Sequence, residues 1–201
     1  LVSAVLRWAH LIEDLPRPEV TGICSPNDSS HQWFRAAVPG LAVDTTDYRE
    51  LLASPEVDIV YVAVPHNLHE EIYTATIQSG KDLFGEKPFG IDQEANERIV
   101  SFAAGHPERF VRCASQFAFY PPVQRMISEL QAGRAGRIIE VRAGFHHSSD
   151  LDLSKPINWK RRVATNGEYG CMGDLGFHVM YVPFRLGWYP RSVRPASACF
   201  P

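Results

Sequence analysis

Two short segments carry reactive side chains at useful spacing. Gly85-Glu86-Lys87-Pro88 follows an apolar, strand-like run, and Asp174-Leu175-Gly176-Phe177-His178 lies far downstream. The first places a lysine and a carboxylate at the carboxyl end of a strand. The second places a carboxylate and an imidazole at i and i+4, a spacing that projects both from one face of a helix. A lysine, an aspartate and a histidine converging on one cleft can take a proton from an alcohol while hydride leaves the same carbon. Read singly, Lys87 is a surface turn residue, Asp174 a helix cap and His178 a core residue; together they make a reaction centre.

The elements that must position them follow from the hydrophobic pattern. Val20–Cys24, Leu41–Val43, Asp58–Pro65, Lys81–Phe84 and Phe110–Ala114 read as strands. Between them, 30–38, 47–52, 69–79 and 92–105 read as helices, and residues 1–14 as an amphipathic helix. Strand–helix alternation with short connections predicts an α/β, doubly wound parallel sheet with right-handed crossovers. The unbroken apolar run at 58–65 predicts a strand buried on both faces. Ligands of such sheets sit at the carboxyl ends of the strands, where Asn67, His69, Glu86, Lys87 and Gln116 all fall. After Pro121 the pattern changes to a helix ending near Gly133. A long alternating strand over 137–145, a helix from Asp174 to Leu186 and the start of a strand over 192–200 follow. This division predicts a dinucleotide-binding domain over 1–120 and the start of an α+β domain with an antiparallel sheet over 121–201.

Composition narrows the function classes. The chain has 201 residues, 45% hydrophobic and 21% charged, with a net charge of −3. No basic excess points to nucleic acid, and no apolar run reaches membrane-span length. Cys24, Cys113, Cys171 and Cys199 are scattered without a C-x-x-C pair, which predicts reduced thiols in a cytoplasmic protein. His146 and His147 with Asp150 and Asp152 look like a metal cluster, but adjacent strand residues face opposite ways, so no metal is expected.

The ordered set Pro55-Glu56-Val57-Asp58, Val64-Pro65-His66-Asn67-Leu68-His69, Gly85-Glu86-Lys87-Pro88, Gln116-Phe117 and Gly170 through His178 resembles the Gfo/Idh/MocA oxidoreductases, named for glucose–fructose oxidoreductase and inositol dehydrogenase. The resemblance covers nearly the whole chain. It implies an NAD- or NADP-dependent dehydrogenase or reductase acting on a sugar, cyclitol or related polyol, working as a homo-oligomer. It also implies that this chain is a fragment, without the family's first strand and Gly-rich turn and without most of the C-terminal sheet. Lys87 resembles the catalytic lysine, with a cis bond to Pro88; Asp174 and His178 match the D-x-G-x-H motif. Pro65, Asn67, His69, Glu86, Lys87 and Gln116 resemble residues around the nicotinamide and its ribose. Ser25 stands where an NAD-preferring fold carries an acidic residue on the adenosine ribose, leaving the cofactor open with a lean to NADP. Trp159, Arg161 and Tyr169 are candidates for the substrate pocket, each with loop packing as the plainer alternative. Two other functions occur on this fold: an NAD-dependent glycosidase and a non-catalytic ligand-sensing protein.

Overall fold

The computed structural model describes residue 5 and residues 18–146, 148, 151–152 and 154–194. The predicted helix over 1–14 lies almost wholly outside them. So do Cys199 and most of the predicted strand over 192–200.

Among the described residues, five strands and four intervening helices alternate as the pattern requires: β1 (Gly22–Cys24), α1 (Asp28–Ala37), β2 (Val43–Thr45), α2 (Tyr48–Ala53), β3 (Ile59–Val62), α3 (His69–Gln78), β4 (Asp82–Glu86), α4 (Gln93–Ala104) and β5 (Val111–Ala114). The strands form two sheets, β1-β2 and β3-β4-β5. β1 and β2 run parallel with Ile23 opposite Asp44, and β3 and β4 run parallel with Tyr61 opposite Phe84. Local chemistry sets the helix starts: Asp47 caps α2 through the Arg49 N–H, and Asp92 caps α4 through the Ala95 N–H.

Packing divides the chain into two compact units. One takes the chain up to Ala63, Glu70–Gly85 and Arg98–Arg112; the other takes Val64–His69, Glu86–Glu97 and the chain from Cys113 onward. The strand-end segments are thus grouped with the C-terminal stretch, across the contiguous boundary at residue 120 that the sequence suggests.

The first unit is built on Leu51, Leu52 and Val57, against which Cys24, Val43, Tyr48, Val60 and Ala75 pack. Tyr73, Ile77, Leu83 and Ile99 are also fully buried. β3 is not covered on both faces as its apolar run predicts. Ile59 is 56% exposed, Val60 and Tyr61 are half-buried and Val62 is buried, while β4 takes the centre of the sheet among the described residues. Gly85 on β4 lies under the buried Tyr73 ring, where an added Cβ would meet ring carbons at 2.6–2.7 Å. Beside β2, Asp44 receives both His31 and Arg35, and His31 also bonds the Ser25 carbonyl through Nε2 at 2.7 Å. These bonds, led by the one to Ser25, raise the His31 pKa. Arg35, the first basic residue after Ser25, is therefore committed to Asp44.

The second unit holds a 3₁₀ turn at His66–Leu68, another at Gln116–Phe119, α5 (Pro121–Gln131), a 3₁₀ turn at Trp159–Arg161, α6 (Val163–Asn166), a π-helical turn at Met172–Gly176 and α7 (Phe177–Arg185). The predicted strand over 137–145 does not form. The segment is irregular, with Ile139 88% and Val141 52% exposed. An alternating pattern becomes a strand only beside a hydrogen-bonding neighbour, and no described segment pairs with it. The antiparallel sheet is accordingly not seen among the described residues.

The Tyr73–Gly85 contact yields a test. Gly85→Ala forces the methyl into a ring with nowhere to go, an overpacking cost of about 1–3 kcal/mol. Denaturant unfolding should show the loss; unchanged stability would mean the Tyr73 ring can move aside.

Candidate active site

The sequence after β4 turns through a cis Lys87–Pro88 bond. The Glu86 carboxylate accepts the Lys87 main-chain N–H at 3.1 Å. Lys87 reaches Asp174, 87 residues away in sequence: Nζ donates to Oδ1 at 2.7 Å and to the Asp174 carbonyl at 2.8 Å. Both side chains are shielded, at 12% and 3% exposure. Asp174 occupies the π-helical turn that precedes α7. Such turns insert an extra residue into the helical repeat and are frequent at functional sites. Here the turn carries Asp174, and α7 continues with His178.

A second cation shares the carboxylate. Lys160 Nζ stands 3.3 Å from Oδ1 and 3.4 Å from Oδ2 of Asp174, and lies 5.5 Å from the Trp159 ring centre. Burial by itself would raise the Asp174 pKa. The hydrogen bond and charge of Lys87, joined by Lys160, reverse this and hold it below the ordinary value.

Two imidazoles complete the centre. His178 packs against Phe117, 4.4 Å away, and Phe145, stacked at 5.3 Å, the two phenyl rings themselves 5.7 Å apart. Its Nδ1 is buried without a protein partner. Burial first, then the Lys87 charge, lowers its pKa. His66 is 3% exposed, sits edge-on to Trp159 at 4.9 Å and also keeps a buried, unpartnered Nδ1. Burial, with the neighbouring His69, lowers its pKa to about 4. Both rings are therefore held towards the neutral form that can accept a hydrogen bond.

The residues expected from the sequence divide clearly. Lys87, Asp174, His178, Glu86 and Trp159 come together in one unit. His69 is fully buried, and its ring nitrogens face the Pro88 carbonyl at 2.8 Å and the Val64 carbonyl at 3.1 Å; this geometry braces the turn that carries Lys87. Pro65 accepts the Leu68 N–H as that 3₁₀ turn begins, while Asn67 is exposed and its neighbour His66 points inward. Gln116 is exposed at the start of its turn. Arg161 and Tyr169 are exposed, Tyr169 at 55%. Ser25 belongs to the other unit, where its Oγ accepts the Asn27 N–H. Gly176 is approached by the Met172 side chain, whose Cε would lie 2.7 Å from an added Cβ.

The sequence reading missed His66 and Lys160. His66 follows β3 as Asn67 does, so the strand-end rule reaches it; only the 3₁₀ turn decides which of the two faces inward. Lys160 adjoins Trp159, with no local signal separating it from Arg161. His147 and Asp150 lie outside the described residues, and no group of three metal-ligating side chains forms among those described. No helix there is long and apolar enough to cross a membrane.

The chain is similar to several known proteins. Levoglucosan dehydrogenase of Pseudarthrobacter phenanthrenivorans is 27% identical over 142 residues, covering 70% of this chain and 36% of that protein. D-xylose 1-dehydrogenase (NADP(+)) of Hypocrea jecorina is 29% identical over 169 residues, covering 81% and 43%. The chain thus spans less than half the length of these curated relatives. The crystal structure of an oxidoreductase domain protein from Kribbella flavida, 27% identical, superposes with a TM-score of 0.79 over 92% of this chain and 50% of that one. The family model described as "Oxidoreductase family, NAD-binding Rossmann fold" matches residues 4–113. With more than half its length so matched, the chain belongs to that family, the Gfo/Idh/MocA oxidoreductases.

Proposed function

We propose that this chain carries the reaction centre of an NAD- or NADP-dependent dehydrogenase or reductase acting on a hydroxyl or carbonyl of a sugar, cyclitol or related polyol. The observation that carries the reading is the buried Lys87–Asp174 pair beside two imidazoles whose pKa values are lowered. A nicotinamide cofactor, when bound, supplies the hydride acceptor or donor. The residues present suit such a ligand: buried acceptor-capable nitrogens at His66 and His178 lack protein partners, and a nicotinamide ribose and a polyol both bring donors.

Within this reading Lys87 exchanges the proton of the reacting oxygen. His178, neutral, holds or takes the hydroxyl hydrogen, and Asp174 orients Lys87 and a neighbouring hydroxyl. Trp159, an apolar wall against His66, suits one face of a sugar ring. The sugar-acting relatives support the substrate class, and the NADP(+) named for one of them keeps both cofactors in view. A homo-oligomer built on a mostly antiparallel second domain, as the resemblance implies, belongs to the same proposal.

In the intact enzyme, supplied with NAD⁺ or NADP⁺ and levoglucosan, D-xylose or an inositol, Lys87→Ala should lower turnover about 10²–10⁴-fold while nucleotide binding, followed by fluorescence, persists. Turnover equal to that of the parent would remove Lys87 from the mechanism. Retention of the cofactor's redox state through net turnover would instead indicate the glycosidase reaction.

The histidine environment sets a pH dependence. His178 works neutral, and its lowered pKa keeps it neutral to more acid pH than the ordinary 6.5. The part of the acid limb that His178→Gln removes should therefore lie below that ordinary value. A component at or above 6.5 that His178→Gln removes from the kcat/KM profile would contradict the assignment.

A further inference from the structure

A lysine bound to a buried carboxylate is normally fixed as an ammonium. Neutralising it strands the carboxylate without a counter-charge in a poorly solvated site. Lys87 faces this constraint: Asp174 takes two of its three donor positions, and the carboxylate is almost wholly shielded. A proton carrier so placed needs another cation to hold Asp174 when its own charge is lost.

We propose that Lys160 is that cation: by standing on both oxygens of Asp174 it allows Lys87 to alternate between ammonium and amine, and so acts as a positioning residue for proton transfer. The inference rests on the reading of Lys87 as proton carrier. Its geometry fits the role. Lys160 touches both oxygens at 3.3–3.4 Å, whereas its side chain is 39% exposed. Lys160 is thus open to solvent on the side away from Asp174, whereas Lys87, at 12% exposure, is shielded. Among the described residues, Glu86, Cys113, His66 and His178 are the other titratable groups near the pair. Of these, the histidines and the thiol are held towards their neutral forms, so none supplies a standing positive charge.

In the oxidation direction the step balances. The alcohol O–H bond breaks and its proton forms an N–H bond on the Lys87 amine. The C–H electron pair leaves as hydride to the oxidised nicotinamide, and the carbonyl forms. Asp174 stays ionised throughout, held by Lys160 before the transfer and by both lysines after it.

The test reads the amine directly and needs no cofactor. Lys87 is labelled by formaldehyde with cyanoborohydride at fixed near-neutral pH, and its peptide is followed by mass spectrometry in the parent, Lys160→Met and Lys160→Arg proteins. The proposal expects labelling in Lys160→Met to slow about tenfold, since Lys87 is then Asp174's sole counter-ion, and Lys160→Arg to restore it. Simple loss of packing would uncover Lys87 and speed labelling, so an unchanged or faster rate in a folded Lys160→Met protein overturns the proposal. A higher KM in the enzyme with unaltered labelling would make Lys160 a substrate contact instead. Slowed labelling in a protein that turns over no polyol would leave the coupling standing and refute the dehydrogenase reading alone.

Discussion

The candidate site depends on one interaction, the buried ion pair of Lys87 and Asp174. Neither charge would be tolerated there alone. Each is supplied by a separate device: Lys87 by the turn that ends β4, Asp174 by the π-helical turn before α7. Several neighbouring features act on that pair. His69 spans the Val64 and Pro88 carbonyls and so braces the Lys87 turn. Lys160 adds a second counter-charge. Phe117 and Phe145 desolvate His178, and Trp159 covers His66.

This arrangement separates two kinds of polar group. In the pair, Lys87 makes two hydrogen bonds to Asp174, and Lys160 stands on the same carboxylate. The Nδ1 atoms of His66 and His178, in the same unit, are buried without a protein partner, a state that costs stability in a finished core. Under the proposed reading, a polar ligand would supply the partners that these nitrogens lack.

Much of this was legible in the sequence, for physical reasons. Buried parallel strands are short apolar runs closed by turn residues, so the strand ends and the residues beyond them could be read directly. Lys87, Asp174 and His178 were singled out because their types and order suit proton removal from an alcohol and resemble family motifs, and the fold brings them into one unit. The reading failed where structure depends on a distant partner or a single dihedral choice. Residues 137–145 alternate as a strand does, yet strand formation belongs to a pair, and no partner lies among the described residues. His66 and Asn67 are adjacent, and a 3₁₀ turn decided between them. Lys160 gains its meaning only when Asp174 arrives beside it.

The most direct measurement of whether the pair serves chemistry is the thermal stability of the double replacement Lys87→Met with Asp174→Leu, set beside each single change. Apolar substitution of a whole buried pair is often neutral or stabilising, while breaking one half costs about 3–5 kcal/mol. The account predicts a double variant with a Tm at or above that of the parent, both singles lower, and no hydride transfer in any of the three. A double variant as unstable as the singles, with hydride transfer retained in the enzyme, would show that the pair holds the fold together and that the reaction centre lies elsewhere.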